Sequence, residues 1–209
     1  HQPTGSIGVY DPLPFARLAS GCPVSRRATV VGVGLIGGSI GMALRGQGWH
    51  VSGVEVDEDR LAAALDIGAV DTVGWDAEAE VSFVATPVGQ IPEMVVEALA
   101  VAPSGVVTDV GGVKAPVVEA VGDPRFVGGH PMAGSEQEGV EGADPAMFVD
   151  ANWVLTPSGD TDDGAFALIR SVVTSLGAEV VTLAPDRHDA LVALVSHVPH
   201  LTASALMGM

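Results

Sequence analysis

Ala28-Thr29-Val30-Val31-Gly32-Val33-Gly34-Leu35-Ile36-Gly37-Gly38-Ser39 decides the fold of this chain. The four residues before Gly32 are apolar or β-branched and too few for a helix, so they read as a short buried strand. From Gly37 to about Gln47 the pattern is helical, and Gly48 ends it. A strand, a glycine turn and a helix in that order, with glycines at 32, 34 and 37, form the dinucleotide fingerprint. Gly32 permits the tight turn, Gly34 lets a pyrophosphate approach the backbone, and Gly37 lets the helix pack close to the strand. Leu35 and Ile36 complete the turn, at the helix N-terminus where free N–H groups and the dipole favour anions. His50 to Glu55 reads as the next strand. Its terminal carboxylate, Glu55, suits ribose hydroxyls and repels a 2′-phosphate, which favours NAD over NADP.

Outward from this unit, strand and helix alternate. Asp57 caps a helix through Asp66 that Gly68 ends, and Val81–Ala85 is a strand followed by Thr86-Pro87 and a helix to about Ala102. Strands at Gly105–Asp109, Arg125–Val127, Asn152–Thr156 and Ala178–Val181 are interleaved with helices at Val113–Val121 and Asp162–Leu176. Residues 130–150 read as a long Gly-rich loop, a kind that is usually functional in compact domains. Pro185 opens a last helix running through Ser196-His197-Val198-Pro199-His200. The pattern predicts an α/β, doubly wound, parallel-sheet (Rossmann-type) domain over residues 27–184. Residues 1–26, rich in Pro, Gly and Ser, read as a mobile leader.

Composition narrows the function classes. The net charge of −17, with 9 Lys and Arg against 26 Asp and Glu, argues against a nucleic-acid partner. No apolar run approaches the ~18 residues of a membrane span, and no signal peptide is evident. The one cysteine, Cys22, fits a reducing cytoplasm. The one lysine, Lys114, falls in the stretch Asp109-Val110-Gly111-Gly112-Val113-Lys114. It reads either as local positive charge for an anionic ligand or as an ordinary exposed side chain.

Gly128-Gly129-His130-Pro131-Met132-Ala133-Gly134-Ser135-Glu136 follows the apolar pair Phe126-Val127. It places His130 on a Gly-flanked turn at a strand's carboxyl edge, where ligands bind in an open α/β sheet. With an ordinary value near about 6.5, a histidine there suits general-base work. Ser135 and Glu136 stand ready to orient substrate or histidine. His197 and His200, three apart, share a helix face. That spacing also suits a metal pair, but no third ligand in a zinc-type arrangement accompanies it, so no metal is expected.

Taken together, the glycine turn, the Asp109–Lys114 stretch, the His130 segment and the 196–200 stretch closely resemble the prephenate/arogenate dehydrogenase family of tyrosine biosynthesis, over roughly residues 28–209. The resemblance implies NAD-dependent oxidative decarboxylation of prephenate, with arogenate or 4-amino-4-deoxyprephenate as alternative substrates. It makes His130 catalytic, His200 a substrate-pocket residue and His197 its support. It also sets Thr86, Pro87, Asp109 and Gly112 around the nicotinamide. The family usually carries a serine where this chain has Gly112. Residues 185–209 become the first helix of an all-helical domain that completes the substrate pocket and builds a homodimer. An NAD-binding module without activity of its own is the alternative of another class.

Overall fold

The computed structural model describes residues 25–134 and 137–194. Residues 1–24 of the 1–26 leader, Ser135, Glu136, His197 and His200 lie outside the described residues. The chain runs β1 (Arg27–Val31), α1 (Leu35–Gly46), β2 (His50–Val54), α2 (Glu58–Asp66), β3 (Thr72–Val73), β4 (Val81–Val84) and α3 (Ile91–Val101). It continues through β5 (Val106–Asp109), α4 (Ala115–Val121), β6 (Phe126–Pro131), β7 (Asn152–Thr156), α5 (Asp163–Ser175), β8 (Glu179–Thr182) and α6 (Pro185–Val192). One eight-stranded sheet results, in the order β3-β2-β1-β4-β5-β6-β7-β8.

Successive strand residues point to opposite faces, and each face buries its own helices. Val30, Phe83, Val106 and Val127 pack in one cluster with Ile40 and Leu44 of α1, Ala64 of α2 and Ile169 and Val172 of α5. Val31, Val84, Val107 and Phe126 pack in the other with Ile91 and Val95 of α3 and Val117 of α4. The sheet is therefore doubly wound, as the continuous apolar strands imply. The cap expected at Asp57 forms, its side chain accepting from the Arg60 N–H, and Asp162, read as the first helical residue, caps α5 by accepting from the Ala165 N–H, each a contribution of about 1 kcal/mol.

The expectation of an all-parallel sheet needs correction. β6 and β7 are antiparallel, with Gly128 opposite Thr156 and Pro131 opposite Trp153. A parallel neighbour requires a crossover that returns the chain to the starting edge. Residues 132–151 hold only a short 3-10 turn at Val140–Gly142 among the described residues, and the chain turns back instead. This segment is well anchored: Val140 and Phe148 are buried in the core, and the Asp144 N–H donates to Ser39 Oγ of α1 at 3.0 Å. β8 then runs parallel to β7 after the α5 crossover.

β6 also extends further than expected. His130 is not on a turn; it pairs with Val154 inside the strand. The glycines before it serve packing: a Cβ on Gly128 would overlap Thr156 Oγ1, and one on Gly129 would lie 2.8 Å from Thr108 Oγ1.

Candidate active site

The carboxyl ends of β1, β2 and β4 frame a cleft of about 230 Å³ lined by Gly32, Gly34, Glu55, Arg60, Thr86 and Pro87, among others. The three fingerprint glycines answer three different demands. Gly32 has φ +87, and a Cβ there would sit 2.7 Å from the Ala85 carbonyl oxygen. A Cβ on Gly37 would overlap the Gly32 carbonyl oxygen. A Cβ on Gly34 would meet nothing within 4 Å, so open space lies against the backbone where a diphosphate would rest. Leu35 and Ile36 open α1, whose first turn has no acidic residue and no side-chain cap. That terminus suits an anion. The Thr86 hydroxyl, buried at the cleft wall, has no hydrogen-bond partner among the described residues. A dinucleotide fits this set: a free helix terminus, a cradle without side chain and a buried polar group without a partner.

Glu55 follows β2 and is held by four donors. Oε2 accepts from the Val33 N–H at 3.2 Å and from Arg60 Nη1 at 3.2 Å; Oε1 accepts from the N–H groups of Val56 and Asp57 at 2.9 and 3.2 Å. Arg60, 43% exposed at its side chain, also pairs with Asp57 at 3.7 Å. Arg60 is thus a cation at the cleft wall, paired to Glu55 and Asp57. Sequence reading passed it over; its signal was an arginine in the first turn of the helix after the acidic residue.

Lys114 has the opposite fate to either reading of it. It is fully buried and ion-paired with the fully buried Asp109. Its Nζ also donates to the Gly129 carbonyl at 2.6 Å. Asp109 Oδ1 accepts from the Gly129 N–H at 3.0 Å and Oδ2 from the Gly111 N–H at 2.9 Å. Burial pushes the Asp109 carboxyl up and the Lys114 ammonium down, and each partner's charge opposes that shift. The Asp109 carboxylate thus faces inward; it shapes the 109–114 loop, and only the loop backbone is left to face a cofactor.

His130 lies half-buried beyond that loop. A Cβ on Gly112 would lie 3.6 Å from both Cε1 and Nε2 of the ring, an ordinary contact. The other ring nitrogen, Nδ1, lies 2.9 Å from Nε2 of His188, a residue of α6 that is 1% exposed. His188 Nδ1 lies 2.8 Å from Asp189 Oδ1. Asp189 accepts in turn from the N–H groups of Lys114 at 2.8 Å and Ala115 at 2.9 Å, capping α4. Burial raises the Asp189 carboxyl, but the His188 bond and the two backbone N–H groups outweigh it and hold it below the usual range. His130 itself is pushed down to about 4, chiefly by burial, then by the charge that His188 carries when protonated and by that of Lys114, with Asp189 opposing. The expected titration near neutrality is thereby corrected: the free imidazole is neutral, and able to accept a proton, throughout the neutral range.

Neither His188 nor Asp189 was singled out from sequence. Their signal was weak: a histidine on the stripe of α6 that also buries Val192. Thr86 and Pro87 line the cleft, and Gly112 lies in the 109–114 loop against His130. No group of three or more His, Cys, Asp or Glu among the described residues is placed to hold a metal.

The geometry permits a test of Gly112. Serine adds its Cβ at ordinary contact distance and brings a hydroxyl toward His130 Nε2. Gly112→Ser is expected to leave stability within about 0.5 kcal/mol and nucleotide affinity unchanged, while preserving or raising turnover of the complete enzyme. Denaturation, calorimetry and kinetics check the three parts. A large loss of turnover with the other two intact would show that the pocket needs the space.

Comparison with known proteins agrees with this geometry. Residues 40–182 match the family model described as prephenate dehydrogenase, nucleotide-binding domain. The chain is 34% identical over 195 residues to prephenate dehydrogenase of Bacillus subtilis, covering 85% of this chain and 52% of the relative. Among solved structures it is similar to prephenate dehydrogenase of Aquifex aeolicus in complex with hydroxyphenyl propionate and NAD+. That match has TM-score 0.81 and 30% identity, and covers 88% of this chain and 68% of the other. It is also similar to Synechocystis arogenate dehydrogenase, with TM-score 0.78, 34% identity, and coverage of 87% and 68%. The chain spans about half the length of the Bacillus subtilis relative. By its matched domain, its identity to prephenate dehydrogenases and its fold, the chain belongs to the prephenate dehydrogenase family.

Proposed function

We propose that this chain binds NAD and supplies the proton-accepting half of an oxidative decarboxylation of prephenate, leading to 4-hydroxyphenylpyruvate in tyrosine biosynthesis. The observation that carries the reading is the juxtaposition of a fingerprint cleft and a neutral, half-buried histidine across the 109–114 loop. NAD held at the Gly32–Gly37 turn and Glu55 would supply the acceptor for the hydride that leaves ring carbon C4. His130 takes the proton of the C4 hydroxyl, whose O–H bonding pair stays with oxygen as the C4 carbonyl forms. The pair of the bond from C1 to its carboxylate enters the ring as carbon dioxide departs, the C4 oxygen becomes a phenolate, and the proton held on His130 returns to it to give the phenol. Because aromatisation favours the products, the protein's task is to position the reactants and hold the proton. This reading includes a cytoplasmic homodimer and gives substrate binding to His197, His200, Ser135 and Glu136, which lie outside the described residues. The likeness to arogenate dehydrogenase supports arogenate as the second candidate substrate. Turnover of the complete protein with prephenate, arogenate and 4-amino-4-deoxyprephenate, each with NAD and NADP, tests the reading. Nucleotide binding without turnover of any of them would leave a binding module.

Cofactor choice is a separate expectation. Glu55 repels a 2′-phosphate and Arg60 attracts one, but Arg60 is already paired to Glu55 and Asp57. NAD is therefore expected to bind tighter than NADP. Glu55→Gln frees Arg60 and should narrow the gap by about tenfold, or ~1.4 kcal/mol. Calorimetry with both cofactors decides it; tighter NADP binding by the unaltered chain would refute the assignment.

A further inference from the structure

Asp189, His188 and His130 form one hydrogen-bonded line from α6 to the cleft, and its chemistry allows few arrangements of protons. An ionised carboxylate only accepts hydrogen bonds. Asp189 already takes two backbone N–H groups at the start of α4, so its orientation is fixed. Its contact with His188 at 2.8 Å therefore places a proton on His188 Nδ1. A neutral imidazole carries one N–H, so His188 Nε2 presents a lone pair. The 2.9 Å contact with His130 Nδ1 then requires that nitrogen to donate. Nε2 of His130 is left bare, and it is this nitrogen that approaches Gly112. The two rings meet edge-on at 75°, with centroids 5.1 Å apart.

We propose that His188 and Asp189 are positioning residues: Asp189 sets the tautomer of His188, and His188 sets that of His130, so that Nε2 of His130 is the proton acceptor. The inference rests on the base role given to His130 above. When Nε2 takes the substrate proton, the new imidazolium keeps its Nδ1–H on the His188 lone pair, in line with the Asp189 charge. Orientation of a reacting imidazole by a partner on its other nitrogen is a general device. Here that partner is a second imidazole. Because Asp189 also caps α4, the same carboxylate places the helix that follows the 109–114 loop. Base and loop are thus located by one residue of α6.

The test is nitrogen-15 NMR of the imidazole groups of this chain, with and without NAD, at about pH 8, well above the ordinary histidine value of about 6.5. The expected result is the Nδ1–H tautomer at both His130 and His188. An Nε2–H tautomer at His130 in the unaltered chain would overturn the proposal, and that reading needs no turnover and no variant. Asp189→Leu, which offers no acceptor, should shift both rings toward Nε2–H. His188→Gln offers an oxygen where Nε2 stood, and should hold the His130 tautomer with turnover of the complete enzyme within about tenfold. His188→Leu should release the tautomer and cost ~10–100-fold in kcat, with KM and NAD affinity unchanged. A His188→Leu enzyme that keeps both tautomer and kcat would also overturn it. If the tautomers are as expected but His130→Asn leaves turnover intact, the base role fails while the hydrogen-bonded line stands.

Discussion

His130→Asn is expected to lower kcat of the complete enzyme by about 10²–10⁴, the usual loss when a general base is removed. NAD affinity should be unaffected, since His130 lies across the 109–114 loop from the glycine turn. Asparagine can still hydrogen-bond to His188, so the fold should survive and the loss will be chemical. The pH profile adds a second check. With the imidazole pushed down to about 4 chiefly by burial, then by the charge of His188 when protonated and by that of Lys114, kcat/KM should climb through the acid range and be level across neutrality. Stability follows the same group. The folded value lies below the unfolded one of about 6.5, so the folded state binds fewer protons between the two. That contribution is complete above about 6.5 and is lost as pH falls through about 4. A His130→Asn enzyme with near-normal kcat would remove His130 from the mechanism.

Lys114→Met is expected to cost about 3–5 kcal/mol of stability, because removing one partner of a buried ion pair strands the other charge. Methionine fills most of the volume but leaves Asp109 without its cation and the Gly129 carbonyl without its Nζ donor. Asp109 keeps the N–H groups of Gly111 and Gly129, so the loop should be distorted rather than lost. Loss of the ammonium should also raise the His130 value, since Lys114 is one of the charges that lowers it. Urea denaturation at neutral pH measures the first effect and histidine titration the second. A loss under about 1 kcal/mol would mean that the pair adds little to the fold.

Much of this architecture was readable because local chemistry and global fold agree. The turn from Gly32 to Gly37 sits between a strand and a helix, Asp57 and Asp162 cap the helices they precede, and apolar runs of four mark strands buried on both faces. Strand direction was not readable, since the period-two pattern of Asn152–Thr156 is the same whichever way the chain runs. The usable signal was the lack of a helical stretch between residues 132 and 151. Thr72–Val73 is too short to show any period. The His130–His188 contact joins residues 58 apart in sequence, and no spacing rule reaches that far. Lys114 misled for another reason: a lone lysine in an acidic chain suggests an anion site, whereas its rarity here goes with a single buried partner.

That burial leaves the described surface without a single side-chain amine, the chain's remaining basic side chains being arginine and histidine. Reagents that acylate amines should therefore find no lysine on the folded protein. Acylation of Lys114 can proceed only when the seam between α4 and β6 parts, so its rate becomes a clock for that opening. Compared with amide hydrogen exchange in the strands, such a clock would show whether the seam opens by itself or only when the whole domain unfolds.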